Sequence, residues 1–418
     1  MRTTIPALSF SNFSYRRLAG IAACAAVLTL SKTASAADAS PILAKSSTNA
    51  PVAPRAIESL TPVRSGPWGE LEISRIFIEA PDVLIASVQR PNSIPMWNFP
   101  GGTAESVRAL MTRAGVAADV QERILDPKRT ITRAGVLTAY PPVPDLEALP
   151  QSARNIIYPE LAKSGLNEFH ENPIYITAGK IEAWLHDTEL SPKIRDLIRT
   201  MAWKSGSALA FSDIRTLMSE AGSDKEVQEI FKVATRVRTF MVRLKVGPNT
   251  DFKTLIDYWT NHGRSSDVLP ILESLRECDA PAEMDISHLL PPIPRRRLYT
   301  YPTPDLAVRG RMPDCHWTSL NFFALTPQDQ YLDLRLAANR VMEGYAQISL
   351  PGELGDVLVF LNPEGGAIHS CVYLADDLVY TKNGENGLSP WVIMRVGDLT
   401  DIYLRGPGYR AQYYRRKG

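Results

Sequence analysis

The sequence has the length and composition of an ordinary globular protein of two or three domains. It contains 418 residues, of which 44% are hydrophobic and 22% charged, close to the averages of soluble domains. This composition excludes a largely disordered chain, a collagen-like repeat and a multi-pass membrane protein. Lys and Arg together number 46, and Asp and Glu number 45, for a net charge of +1. Because no basic excess is available to neutralise phosphates, we expect no nucleic-acid partner.

Residues 1–36 have the layout of a secretory signal peptide. Arginines at positions 16 and 17 are followed by an apolar run of 13 residues, and a small-x-small motif ends at Ala36. These are the charged region, the hydrophobic region and the cleavage site of such peptides. We therefore predict cleavage after Ala36 and a secreted or periplasmic product.

Three other interpretations of this segment stay open: an uncleaved anchor, twin-arginine export, and lipidation at Cys24. Only six residues separate Arg17 from Cys24, which is short for the apolar core that precedes a lipidated cysteine. No later stretch is long and apolar enough to span a bilayer, so we expect no stable membrane span after signal cleavage.

The chain from 61 to 290 is predicted to be a mostly helical domain of unknown role, joined to the signal peptide by a linker over 37–60. The linker is rich in Ala, Ser, Thr and Pro. Alternating or short apolar runs predict strands at 71–78, 83–85 and 238–246. No motif in this region carries chemistry, and its isolated histidines are expected at the surface or in hydrogen bonds. Residues with side chains that cap helices predict helix starts at Thr103, Ser191, Ser212, Ser223, Asp251 and Asp267.

A proline-rich, triple-arginine segment at 291–297 is predicted to separate this region from a C-terminal domain over 298–418. Four features follow it in order: Asp314-Cys315 before a helix-like stretch, Gly355-Asp356 before a strand, His369 at the start of the next strand, and a polar run at 381–383. An Ala-Asp-Asp turn joins the last two strands, which predicts a hairpin.

This order suits nucleophilic catalysis by a cysteine. A cysteine at a helix start feels the positive end of the helix dipole, which favours the thiolate. A histidine on a neighbouring strand can take the thiol proton and later protonate the leaving amine. A polar residue on the next strand can orient the imidazole. The hairpin brings His369 close to Thr381 and Asn383, so the third member should come from one of them.

The C-terminal segment resembles the NlpC/P60 family of papain-like cysteine peptidases, over about 298–404. The family pattern has Asp-Cys at a helix start, Gly-Asp before a strand, a histidine opening the following strand and a polar residue on the next. The resemblance implies a papain-like α+β domain with a small antiparallel sheet, which makes the whole chain α+β. It also implies catalytic roles for Cys315 and His369, and it aligns Tyr301 with an upstream tyrosine that lines the oxyanion side.

Departures from the family concern the residues around the nucleophile and the third position. The family has Ser-Gly after the cysteine, whereas this chain has His316 and Trp317, which we assign with Tyr301 to the substrate and oxyanion side. Strict counting places Thr381 at the third position, where the family often has histidine. Asn383 has an amide oxygen better suited to accept from imidazole, and both residues share one strand face.

We therefore expect a secreted cysteine hydrolase that cleaves amide bonds of peptidoglycan stem peptides, the substrate class that the resemblance implies. Two alternatives stay open: a catalytically inactive cell-envelope binding protein, and a transglutaminase or acyltransferase that uses the same Cys-His pair. No cofactor is expected. A zinc site of Cys315, His316, His369 and Cys371 lacks the usual Cys-x-x-Cys spacing, so no metal is predicted.

Overall fold

The computed structural model describes residues 60–87, 90–176, 181–278, 280–308 and 310–417. The predicted signal peptide with its cleavage site, and all of the predicted linker except Leu60, lie outside the described residues. In the described part of the chain, no helix combines the length and hydropathy needed to cross a bilayer.

The strands range from two to ten residues and are distributed over the full described length. In chain order they are β1 (Thr61–Pro62), β2 (Glu70–Ile78), β3 (Trp97–Pro100), β4 (Thr130–Arg133), β5 (Val136–Ala139), β6 (Ile174–Ile176), β7 (Trp203–Ser205), β8 (Ala208–Phe211), β9 (Val237–Val246), β10 (Ala282–Asp285), β11 (Tyr345–Ile348), β12 (Val357–Leu361), β13 (Ala367–Ala375), β14 (Leu378–Lys382), β15 (Trp391–Arg395) and β16 (Arg410–Arg416).

The helices alternate irregularly with these strands and most lie before residue 300. They are α1 (Asp82–Ser87), α2 (Ala104–Arg113), α3 (Ala118–Ile124), α4 (Val143–Ala148), α5 (Gln151–Leu161), α6 (Glu168–Glu171), α7 (Ile181–Leu185), α8 (Pro192–Met201), α9 (Ile214–Glu220), α10 (Asp224–Ala234), α11 (Phe252–Trp259), α12 (Leu269–Arg276), α13 (Pro292–Arg297), α14 (Cys315–Leu320), α15 (Leu334–Gly344) and α16 (Val396–Tyr403).

The strands form four antiparallel sheets, and the protein is a mixed α/β structure. The sheet orders are β1-β2-β9-β10, β3-β5-β4, β6-β8-β7 and β11-β16-β12-β13-β14-β15. Three of these sheets lie in the 61–290 region, beside its helices. The prediction of a mostly helical domain did not include them. Two of them are built from strands of three or four residues, which are too short to show a period of two.

The capping signals located helices well, and the alternating runs at 71–78 and 238–246 located β2 and β9, whereas the short apolar run at 83–85 did not locate a strand. Ser191 caps α8 and Ser223 caps α10, each accepting the backbone N–H three residues on. For the start predicted at Ser212, the N-cap position is occupied by Asp213, one residue later and without a capping hydrogen bond from its side chain. The predicted strand at 83–85 is wrong, because these residues lie in α1, where amides 84 and 85 bond to the carbonyl of Pro81. Three apolar residues do not distinguish a strand from one helical turn.

The predicted boundary near 290–300 is not a break in packing. One hydrophobic core includes Trp259 and Leu290 from before the boundary and Leu374 from after it. The edge strand β15 is joined to β9 by a reciprocal pair of hydrogen bonds: the Thr239 hydroxyl donates to the Ile393 carbonyl at 2.9 Å and accepts the Ile393 amide at 3.0 Å. The C-terminal sheet is therefore held against the N-terminal region.

A second hydrophobic core lies in the N-terminal region and is joined by Tyr301 from the C-terminal segment. Several buried polar side chains cluster beside it. The Tyr158 hydroxyl lies 2.9 and 2.8 Å from the two carboxylate oxygens of Asp213. His170 packs edge-on against the Tyr158 ring at 4.6 Å, and burial lowers the pKa of His170 to about 3. The isolated histidines were expected at the surface or in hydrogen bonds. His170 is instead buried, and its Nε2 atom has no hydrogen-bond partner.

The Gly-Asp pair before β12 has a structural role. Gly355 has φ of +93°, and a Cβ there would lie 2.2 Å from the Phe323 ring. The carboxylate of Asp356, which is 1% exposed, accepts the amide of Gly352 at 2.8 Å and two N–H groups of Arg415 at 2.8 Å. This carboxylate thus ties the start of β12 to the C-terminal strand β16.

Replacing Asp356 by asparagine should lower the free energy of unfolding by about 2–3 kcal/mol, because a buried charge-assisted network loses its anion. Urea unfolding measures the change. Asp333→Asn is the matched control: Asp333 pairs with Arg335, which is 90% exposed, and asparagine keeps the helix cap, so a change below about 0.5 kcal/mol is expected. Equal losses in the two variants would contradict the structural role of Asp356.

Candidate active site

Cys315 is the first residue of α14 and is 6% exposed. Asp314 caps this helix, and its carboxylate accepts the Trp317 amide at 2.7 Å. Aspartate is a preferred N-cap because its side chain satisfies an amide that has no partner within the helix. The predicted Asp-Cys helix start is therefore confirmed in its local geometry.

Helix α14 packs on one face of the six-stranded sheet through Ser370 of β13. The Ser370 hydroxyl lies 3.2 Å from the Cys315 carbonyl, 3.1 Å from the Ser319 hydroxyl and 3.0 Å from His316 Nδ1. Ser370 is opposite Val359 of β12, whose side chain packs in a small core with Leu320. This face of β12 and β13 is thus the one that α14 covers.

His369 projects to the other face, because successive strand residues alternate. It lies opposite Phe360, and its ring stacks on Tyr403 of α16 with centroids 4.1 Å apart and planes 7° apart. Its Nε2 atom lies 3.0 Å from the Thr381 hydroxyl. Its Nδ1 atom is buried and has no hydrogen-bond partner, so it makes no hydrogen bond to the Cys315 sulfur.

Ser370 of β13 connects Cys315 with His369. The Ser370 hydroxyl lies 3.2 Å from the Cys315 carbonyl, and the Ser370 backbone lowers the pKa of Cys315. His369 is the preceding residue of the same strand. The cysteine and the histidine are therefore linked through Ser370, without a hydrogen bond from His369 Nδ1 to the sulfur.

Both groups are neutral in this arrangement. Burial, followed by the charge of Asp314, raises the pKa of Cys315, and the Ser370 amide and Lys382 offset this only in part. Burial, followed by His316, lowers the pKa of His369 well below its usual value. The pKa shift of Cys315 is thus opposite in direction to the one expected from the helix dipole. A helix of six residues has few aligned peptides, and desolvation outweighs it.

The third position is occupied by Thr381, the residue that strict counting selects. Its hydroxyl is the partner of His369 Nε2. Asn383, the chemically favoured alternative, is not brought to His369: its amide nitrogen lies 3.2 Å from the sulfur of Met394 and its oxygen 3.5 Å from the Tyr403 hydroxyl. The two residues share a strand face, but the imidazole lies toward Thr381.

Tyr301 is not at the oxyanion side of Cys315, contrary to expectation. Its hydroxyl donates to the Thr235 carbonyl at 3.0 Å and lies 3.3 Å from the Ile78 carbonyl. The ring packs in the core of the N-terminal region. The hydroxyl is therefore occupied in joining the C-terminal segment to that region.

His316 and Trp317 are buried parts of α14 and line no open substrate surface. His316 is 5% exposed and Trp317 is 1% exposed. Burial lowers the pKa of His316, and its Nδ1 atom contacts Ser370. The indole N–H of Trp317 donates to Asp329 at 3.2 Å. Both residues help to fix the helix rather than to contact a substrate in this state.

No metal centre is formed by the described residues. They contain no group of three or more His, Cys, Asp or Glu side chains placed to hold an ion. Cys371, which the sequence spacing did not support as a zinc ligand, is fully buried and forms no disulfide.

Sequence reasoning missed the position of Lys382. This side chain is fully buried, and its ammonium donates to the carbonyls of Gly384 at 2.7 Å and Asn386 at 3.0 Å. It lies on the face of the sheet that α14 covers. Because Lys382 follows Thr381 on a strand, the sequence predicts that it points to the opposite face from Thr381. Its complete burial was not predictable, because lysine is rarely fully buried.

A cleft of about 230 Å³ lies on the face of the sheet that carries His369. The C-terminal part contributes Asn383, Met394 and Tyr403 to its walls, and the N-terminal region contributes mainly apolar residues such as Trp184 and Phe231. The Tyr403 ring, stacked on His369, forms part of the wall. The Tyr403 ring therefore lies between the His369 imidazole and the cleft.

A comparison of the chain with protein-family models, curated proteins and solved structures found no match.

Proposed function

We propose that the protein is a secreted cysteine hydrolase that cleaves amide bonds of peptidoglycan stem peptides, on a papain-like C-terminal domain. One observation carries the proposal: Thr381 holds one nitrogen of His369, while the other nitrogen is buried without a partner, and the next strand residue, Ser370, contacts the Cys315 carbonyl. A buried polar atom without a partner is costly, so it is a good candidate for a group that acquires its partner during a reaction.

In the proposed reaction, His369 Nε2–H donates to the Thr381 oxygen, which leaves Nδ1 as the base. Nδ1 removes the thiol proton of Cys315, and the sulfur attacks the carbonyl carbon of the scissile amide. The carbon–nitrogen bond breaks as the imidazolium protonates the amine, and a thioester remains on Cys315. Water, deprotonated by Nδ1, then attacks the thioester; the carbon–sulfur bond breaks, the acid is released, and the imidazolium returns the proton to the Cys315 sulfur. The backbone N–H of Cys315 at the helix start is suited to stabilise the oxyanion.

The site is closed at rest, so the proposal requires an opening step. A cleft lined by Tyr403 lies on the same face of the sheet as His369. Displacement of the Tyr403 ring from the imidazole would admit the scissile bond and let Nδ1 turn toward the sulfur. Neutral thiol and imidazole groups suit this order of events, because the proton then moves only when substrate is bound.

A catalytically inactive binding protein is the second candidate, favoured by the missing hydrogen bond between His369 Nδ1 and the Cys315 sulfur. An acyltransferase would share every residue named here and differ only in the acceptor. The products formed distinguish the binding protein and the acyltransferase from the hydrolase.

The test uses the mature chain from Ala37 with the exposed Cys278 replaced by serine. It is incubated with a muropeptide digest, with and without an added primary amine, and the products are identified by mass spectrometry. New free amino and carboxyl ends, together with an acyl adduct on Cys315, support the hydrolase. Amine adducts that displace hydrolysis would indicate the acyltransferase, and substrate binding without product would indicate the binding protein.

Replacing Thr381 by valine should lower kcat about tenfold, because the imidazole loses the hydrogen bond that selects its tautomer. Thr381→Ser keeps the hydroxyl and should retain most of the activity. Steady-state kinetics on a cleaved muropeptide measure both variants. An equal loss in the serine and valine variants would mean that the packing of the methyl group, and not the hydrogen bond, is what matters.

A further inference from the structure

Lys382 is an amine buried beneath helix α14. It ends β14 and lies opposite Trp391 of β15. The Trp391 indole N–H donates to the Thr318 hydroxyl of α14 at 3.0 Å, and the Lys382 Nζ atom lies 5.8 Å from the centroid of the Trp391 ring. The ammonium and the helix that begins at Cys315 therefore share the same side of the sheet.

The two hydrogen bonds that this ammonium donates go to neutral groups. Their acceptors are the carbonyls of Gly384 and Asn386, and an ammonium has three N–H donors. The charges of Asp314 and Glu385 act on it electrostatically, but the Asp314 carboxylate caps α14 and Glu385 is paired with Arg311 at 3.3 Å. A thiolate formed at Cys315 would add an anion close to this buried group.

We propose that Lys382 is a positioning residue of the cysteine site, whose ammonium stabilises the Cys315 thiolate that forms when His369 takes the thiol proton. The inference rests on the proposed function and adds a residue to it. Lys382 interacts electrostatically with Cys315 and with the helix cap Asp314. It lies on the opposite face of the sheet from His369, on the side of α14, the helix that begins at Cys315.

The protonation of Lys382 fits this role. Burial lowers its pKa to about 7, and the charges of Asp314 and Cys315 act in the opposite direction. Near neutral pH the amine is therefore poised between its two forms. A thiolate at Cys315 raises the pKa of Lys382, and by the same coupling the ammonium lowers the pKa of Cys315.

The first experiment measures the rate of Cys315 alkylation by iodoacetamide from about pH 6 to about pH 10, which spans the reference pKa values of thiols and amines. The Cys278→Ser protein is compared with its Lys382→Met and Lys128→Met derivatives. Methionine keeps the length of the side chain without its charge, and Lys128 is exposed. We expect Lys382→Met to move the profile upward by about one pH unit, and Lys128→Met to leave it unchanged. Cys371, which is fully buried, should stay unreactive as an internal check of folding.

The second experiment needs no reactive thiol and leaves Lys382 in place. Cys315→Asp puts a carboxylate at the position of the sulfur, and Cys315→Asn is its neutral isostere. The pKa of the Lys382 amine is followed in both by the carbon chemical shift of ¹³C-labelled lysine, assigned by its loss in Lys382→Met. We expect a pKa higher by about one unit or more in the aspartate variant. Equal values in the two variants would overturn the proposed coupling.

The failures of this inference and of the proposed function are distinguishable. If the protein cleaves muropeptides through Cys315 but the alkylation profile is the same with Lys382→Met, the inference is wrong and the hydrolase stands. If no Cys315-dependent product forms while the carboxylate at 315 raises the pKa of Lys382, the charge coupling stands and the hydrolase is wrong.

Discussion

Replacing Cys315 by alanine should reduce kcat/KM for muropeptide cleavage by about 10³-fold or more, because the residue that forms the covalent bond is removed. The fold should remain, since the change deletes one sulfur atom at the end of a short helix and leaves the Asp314 cap and the Ser370 contact to the Cys315 carbonyl in place. Progress curves on a purified muropeptide measure the loss, and urea unfolding confirms that the protein is folded.

Cys371→Ala is the matched control for this prediction. Cys371 is as fully buried as any residue of β13 and lies two residues from His369, on the same strand face. Its replacement should cost stability through a small cavity while the cleavage rate changes little. If the two variants lost activity equally, the nucleophile would be misassigned. If Cys315→Ala kept its activity, a cysteine mechanism would be excluded.

Replacing His369 by glutamine should reduce kcat by about 10²–10⁴-fold, the range expected for loss of a general base. Glutamine can still donate a hydrogen bond toward Thr381, but it cannot take the thiol proton. The residual activity should rise with pH as hydroxide takes over part of this role, whereas the parent profile should level off once His369 is neutral. Because burial lowers the pKa of His369 well below its usual value, that levelling should occur on the acidic side of neutrality.

His170→Gln provides the control, because His170 is likewise a buried histidine whose pKa is lowered by burial. It belongs to the separate core of the N-terminal region, so its replacement should change stability and leave the pH profile of cleavage unaltered. The double variant Cys315→Ala/His369→Gln should be no slower than Cys315→Ala alone, since residues that act as one unit give non-additive losses. Additive losses would show that His369 acts independently of the cysteine.

The local elements around the candidate site were predictable from the sequence because they depend on short-range rules. An aspartate before Cys315 caps a helix, and the Ala-Asp-Asp turn joins β13 to β14 in a hairpin. The hairpin limited the third residue to Thr381 or Asn383, and the structure shows Thr381 as the partner of His369. Such features are determined by the hydrogen-bonding needs of a few neighbouring residues.

The tertiary structure alone decided which groups meet and in which state of charge. Burial makes Cys315 a neutral thiol, where the helix start had indicated a thiolate. It also places Lys382 beneath α14 and binds the hydroxyl of Tyr301 to carbonyls of the N-terminal region. Desolvation and contacts between distant segments depend on how whole layers pack, and a pattern of neighbouring residue types does not contain that information. The sequence by itself thus determined the order of the candidate residues along the helix and the hairpin, and the packing of the two regions determined their environment.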